Sequence, residues 1–208
     1  MGGFVDLSDA SSIERALSLV ADVLRDRGVS TIEIVVVGGA ALNVLGLVRR
    51  PTRDVDVLAT ASPSEPSGPT RLEKCSTLPA ALADATAEVA EALGLDPRWL
   101  NNGPAALLDH GLPDGFSERL TARCYGTTLV VHFASRTDLI ALKVFAAADS
   151  GIGRHTKDLA TLAPTDDELR AGVRWARTQD GSPEFGTALR GLLDHIGCPI
   201  EESTDDDR

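Results

Sequence analysis

"VVVGGAALNVLGLVRRPTRDVDVLA", residues Val35 to Ala59, decides the fold. It runs from β-branched residues through Gly38-Gly39 and a short apolar segment to an arginine cluster, and ends in two aspartates separated by one valine. β-Branched residues fit a pleated, buried surface, so Thr31 to Val37 is expected to be a strand buried on both faces. The glycines break it, Ala40 to Leu45 reads as a short helix, and Asp54 to Ala59 as the next strand. Residues two apart on a strand share a face, which puts Asp54 beside Asp56 and turns Val55 and Val57 into the core.

Neighbouring carboxylates repel unless a cation sits between them or one takes a proton. Oxygen ligands of this kind suit Mg²⁺, which keeps several waters and accepts substrate phosphates as remaining ligands. The alternative is a pair of solvated charges at a strand end. The surroundings favour the first: a double glycine lets backbone N–H groups approach phosphate oxygens, and the helix start adds positive potential. Arg49, Arg50 and Arg53 stand close by in sequence. A dinucleotide-binding turn is the competitor, but GGAALN lacks the third spaced glycine, and no acidic residue closes a second strand in the ribose-binding manner.

Outward from this stretch, Ser11-Ser12-Ile13-Glu14 reads as a capping box, followed by Ile13, Ala16, Leu17, Val20 and Leu24 at helical spacing up to Gly28. Ala61 to Pro69 is a Ser/Pro-rich loop. Leu78 to Leu93 is Ala-rich and helical, and "LDPRWLNNGPAALL" reads as a turn, a tryptophan anchor and another helical piece. Glu118 to Tyr125 and Thr127 to Ala134, hinged at Gly126, are expected to form a hairpin. Ser135 or Thr137 caps a helix through Ala148; Thr165-Asp166-Asp167-Glu168 is a capping box opening a helix to about Gln179; Phe185 to Ile196 is the last helix.

The expected architecture is α+β: a mixed-sheet core over residues 1–135 with a helical insert at about 78–112, a helical C-terminal region over 136–199 that completes the active-site cleft, and a disordered acidic tail at 200–208. The 208 residues carry 31 acids and 20 Lys plus Arg, a net −11. The tail, with five acids and one arginine, accounts for −4 of it. Such a field repels polyanions over the roughly 8–10 Å left unscreened at physiological salt, which argues against a general DNA binder. Cys75, Cys124 and Cys198 show no CxxC spacing, and His110, His132, His155 and His195 show no HExxH pattern, so neither a disulfide framework nor a zinc site is expected. With no run of 18 apolar residues and no signal-peptide pattern at the N-terminus, the expectation is a cytoplasmic protein with no membrane partner.

Gly38-Gly39, fourteen intervening residues and Asp54-Val55-Asp56 are similar to the signature of DNA polymerase beta-like nucleotidyltransferases. "GGAALNVLG", "RPTRDVDVL", "WLN", "RTDLIALKVFAAADSG" and "HTKDLATLAPTDDELRAGVRWARTQD" resemble the bacterial nucleotidyltransferase family grouped near the AbiEii and MenT toxins of type IV toxin–antitoxin pairs, over Val35 to Asp180. The resemblance implies an EC 2.7.7-type enzyme moving a nucleoside monophosphate from an NTP to an acceptor hydroxyl, with RNA such as a tRNA 3′ end as acceptor and a cognate antitoxin as partner. It implies that Asp54 and Asp56 hold Mg²⁺ or Mn²⁺ and that Gly38, Gly39, Thr52, Arg53 and Lys143 face the nucleotide. Lys143 and Asp158 join the two aspartates as catalytic residues. Arg49, Arg50, Arg53, Arg154, His155 and Lys157 would receive the acceptor, and Thr52 is a conceivable target of antitoxin modification. Many members of the wider superfamily carry a third carboxylate on a later strand, where "TTLVVHFAS" offers His132. The alternative is therefore a catalytically weakened nucleotide-binding or protein-interaction module on the same fold; His132 itself reads as a packed strand residue rather than a general base, since nothing in the sequence supplies an orienting partner.

Overall fold

The computed structural model describes residues 4–62 and 70–198. The expected tail at 200–208 and most of the Ser/Pro-rich loop lie outside them. The chain divides into two compact units, Met1–Leu139 and Ile140–Arg208.

The first unit opens with α1 (Ala10–Asp26), whose N-cap is Asp9. The capping pair is Asp9 with Ser12, earlier in the chain than the expected Ser11 with Glu14, because the Asp9 carboxylate accepts from the Ser12 N–H at 2.8 Å. Its apolar stripe Ile13, Ala16, Leu17, Val20 and Leu24 is fully buried. β1 (Ile32–Val37) follows, then α2 (Gly38–Val44) and β2 (Val55–Ser62). The glycines thus form the first turn of α2, with Gly38 at φ +72. Asp54 precedes β2, and the strand runs on through Ala61 and Ser62, where a loop was expected.

The insert contains more sheet than its composition suggests: β3 (Arg71–Lys74) pairs antiparallel with β2, and β4 (Leu100–Asn101) pairs parallel with it. Between them α3 (Ala80–Leu93) ends at Gly94 in the left-handed conformation. Trp99, fully buried, donates its indole N–H to the Thr86 carbonyl at 3.0 Å and so pins the start of β4 to α3. A 3-10 helix covers Gly103–His110 and another Ser117–Arg119, which shortens the expected hairpin to β5 (Thr121–Tyr125) and β6 (Leu129–Phe133).

Among the described residues the sheet has six strands in the order β3-β2-β1-β6-β5, with β4 on the other side of β2's start. It is mixed: β1 and β6 run parallel and β1 and β2 antiparallel. Central β1 is buried along Ile34, Val35, Val36 and Val37, as its β-branched run requires.

The unit boundary falls inside α4 (Arg136–Ser150), whose first turn is capped by the Ser135 hydroxyl accepting from the Asp138 N–H. The second unit continues with α5 (Arg154–Leu162), a helix that sequence reading passed over, then α6 (Asp166–Gln179) and α7 (Pro183–His195). The Thr165–Glu168 capping box is formed as expected. α4 and α6 approach closely at Gly172, where a Cβ would stand 3.3 Å from the Ala141 Cα. Phe145 packs edge-on against Trp175 and tilted against Phe185.

Candidate active site

β1 and β2 deliver the first group of residues. Val37, the last residue of β1, pairs with Asp56 of β2, so Gly38 begins directly beside the second aspartate. A Cβ on Gly38 would collide with the Asp56 Oδ2, which means the carboxylate rests on the bare glycine backbone. At Gly39 a Cβ would stand 3.0 Å from both the Arg50 Nη2 and the Thr52 Oγ1. The Thr52 hydroxyl in turn donates to the Asp54 Oδ1 at 3.2 Å. Gly38, Gly39, Thr52, Asp54 and Asp56 are therefore brought together at one end of the β1–β2 pair, as their motif requires.

The segment that carries Thr52 is held from two sides. Leu7 and Thr52 exchange backbone hydrogen bonds, each 2.9 Å. Asn43 on α2, 4% exposed, donates from its amide to the Gly39 and Arg50 carbonyls at 3.0 and 2.9 Å and accepts from the Arg50 N–H. Sequence reading passed over Asn43. Its signal was a lone amide among the apolar residues of GGAALNVLG, where an unpartnered polar group would be costly to bury.

Two of the expected residues differ sharply in exposure. Arg53 points to solvent, 85% exposed, with Asp6 at 3.4 Å, whereas Arg50 is the arginine lying over Gly39. Thr52 is buried at 4% exposure with its hydroxyl given to Asp54, an unfavourable target for a modifying enzyme. α2, at seven residues, is too short to add much helix-dipole field. The glycines matter here for close approach.

His132 lies on β6 opposite Val35, two residues before the level of Val37 and Asp56, and its Nε2 is 2.8 Å from the Glu33 Oε2. It is a packed strand residue with a carboxylate partner. Among the described residues no cluster of three or more His, Cys, Asp or Glu side chains gathers as a metal centre. Asp54 and Asp56 supply hard oxygen donors beside a side-chain-free glycine turn. That set fits Mg²⁺ or Mn²⁺, whose remaining positions are filled by water and substrate phosphate.

In the second unit, Lys143 of α4 and Asp158 of α5 form an ion pair at 2.8 Å, 6% and 1% exposed. The His155 Nδ1 lies 3.4 Å from the same ammonium. The spacing of a lysine in an apolar helix and an acid fifteen residues later is resolved by α5, which turns Asp158 inward.

The whole is a nucleotidyltransferase-like α+β fold, a mixed sheet with helices followed by further helices. The profile of the nucleotidyl transferase AbiEii toxin of type IV toxin–antitoxin systems matches residues 22–183, and the chain belongs to that family. No curated protein and no solved structure matches it significantly. No helix among the described residues is long and apolar enough to cross a membrane.

Proposed function

We propose that this toxin-family nucleotidyltransferase moves a nucleoside monophosphate from an NTP to an RNA hydroxyl, such as a tRNA 3′ end, in the bacterial cytoplasm, under control of a cognate antitoxin. The observation that carries the reading is the gathering of Asp54 and Asp56 around Gly38-Gly39, with the Arg50 guanidinium over the second glycine. Asp54 and Asp56 would hold Mg²⁺ or Mn²⁺, which supplies charge neutralisation on phosphate oxygens.

The chain's own residues do the rest. Gly38 and Gly39 leave room for phosphate oxygens next to the carboxylates. Thr52 fixes the Asp54 carboxylate through its hydroxyl, and Arg50 offers a planar cation suited to phosphate. Lys143, ion-paired with Asp158, is a second phosphate-binding candidate. The acceptor hydroxyl gives up its proton to solvent as its oxygen bonds to the α-phosphorus, the bond to the bridging oxygen breaks, and pyrophosphate leaves; no protein nucleophile is consumed, so positioning and electrostatics supply the rate.

The test is incubation with Mg²⁺ and each labelled NTP, with and without total RNA. Wild type should label RNA, and Asp54→Ala and Lys143→Ala should not. Transfer that survives both substitutions overturns the proposal. A nucleotide-dependent rise in melting temperature with no product would instead support the catalytically weakened module.

A further inference from the structure

We propose that Asn101 is a positioning residue for Asp56, orienting the carboxylate through its side-chain amide; this rests on the metal-binding reading of the Asp54–Asp56 pair. In sequence Asn101 is marked only as the last residue of the WLN motif, with no role attached to it. The fold gives it a specific address. β4 is only two residues long, and its parallel pairing with β2 sets Leu100 against Val55 and Asn101 against Asp56. That register is enforced from behind, since the Trp99 carbonyl accepts from the Val55 N–H and the Trp99 indole is anchored on α3.

The amide of Asn101 has a defined orientation. Its Oδ1 accepts from the Gly103 backbone N–H at 2.9 Å, so the oxygen is committed to the turn that follows β4. The NH₂ end is thereby directed to the opposite side, where the Asp56 Oδ1 lies at 3.4 Å. The other carboxylate oxygen, Oδ2, rests on Gly38. Asp56 is thus bounded on one side by bare backbone and on the other by a fixed N–H donor, which limits rotation of the carboxylate. Removing a donor that holds a metal-ligating carboxylate in place typically costs about 10–100-fold in metal affinity.

The experiment is a titration of the full chain with Mn²⁺ alone, followed by loss of the free-ion paramagnetic signal. Asn101→Ala is expected to weaken Mn²⁺ binding by about tenfold or more. Gly103→Ala, whose Cβ would stand 3.0 Å from the Asn101 Oδ1, should weaken it less, in the same direction. The decisive measurement is a double-mutant cycle. In an Asp56→Ala background Asn101→Ala should have no further effect on residual Mn²⁺ affinity, whereas in an Asp54→Ala background it should keep its full effect. An equal loss in both backgrounds would mean that Asn101 only supports the loop, and would overturn the inference. Wild-type affinity in Asn101→Ala, alongside clear loss in both aspartate variants, would overturn it while leaving the metal site standing. Unchanged Mn²⁺ binding in both aspartate variants would overturn the metal reading itself, and this inference with it.

Discussion

The Asp56 carboxylate lies against Gly38 so closely that a single methyl on that glycine would collide with its Oδ2. Gly38 also sits at φ +72, a conformation that L side chains rarely adopt. Two separate penalties therefore converge on one position. Gly28, at φ +66 with open space around it, carries only the second.

The pair predicts a contrast. Gly28→Ala should lower stability by about 1 kcal/mol through backbone strain alone and leave nucleotide transfer intact. Gly38→Ala should cost more, and should also displace Asp56 and abolish transfer. Urea unfolding together with the labelled-NTP assay checks both. Wild-type transfer by Gly38→Ala would show that the glycine is not needed for close approach.

Asn43 predicts coupled losses of stability and affinity. Its amide closes hydrogen bonds with Gly39 and Arg50 at a site 4% exposed. Asn43→Ala removes the donor to both carbonyls and the acceptor for the Arg50 N–H from a largely buried position, a cost of about 1–3 kcal/mol. Because the same bonds hold Arg50 over Gly39, the apparent KM for NTP should rise as well. Asn43→Asp keeps the acceptor for the Arg50 N–H but loses both donors, so it should resemble the alanine variant; wild-type stability in both would refute the argument.

The Lys143–Asp158 pair predicts asymmetric mutational effects. With side chains 6% and 1% exposed, removing either partner alone strands a buried charge, at about 3–5 kcal/mol. The double replacement Lys143→Met with Asp158→Leu should recover much of that stability while remaining inactive. Chemical denaturation of the three variants measures the coupling. Additive losses would show that the two charges do not compensate each other.

The single tyrosine gives an alkaline prediction. Burial pushes the Tyr125 hydroxyl up to about 12, with the neighbouring Glu14 acting in the same sense and Arg123 opposing. In the unfolded chain it ionises near its ordinary value of about 10. The folded state thus holds its proton longer, so this contribution is intact below pH 10 and is lost as pH rises from about 10 to 12, at about 2–3 kcal/mol in total. Absorbance at 295 nm should show phenolate forming near pH 12, and stability should fall across that interval. Ionisation near pH 10 in the native protein would contradict the burial.

Several features were legible because their causes are local. The alternation of Val55 and Val57 with Asp56, the capping pair of Thr165 and Glu168, and the apolar stripe of α1 each depend on residues within one or two turns. The misses share the opposite property. β4 is two residues long and exists only because β2 lies beside it. α5, with just Leu159 and Leu162 as large buried apolar side chains, has too thin a stripe to stand out among polar residues.

The sequence by itself determined the strand–glycine–helix–strand unit, the two carboxylates at its end and the helices that follow, since hydrophobic periodicity, glycine placement and capping chemistry act between near neighbours. Only the tertiary structure decided that Arg50 lies over Gly39 while Arg53 faces solvent, that His132 answers to Glu33, and that Asn101 meets Asp56. Those outcomes depend on strand register and on the path of a loop pinned by Asn43 and Leu7, and contacts between segments tens of residues apart leave no periodic trace along the chain.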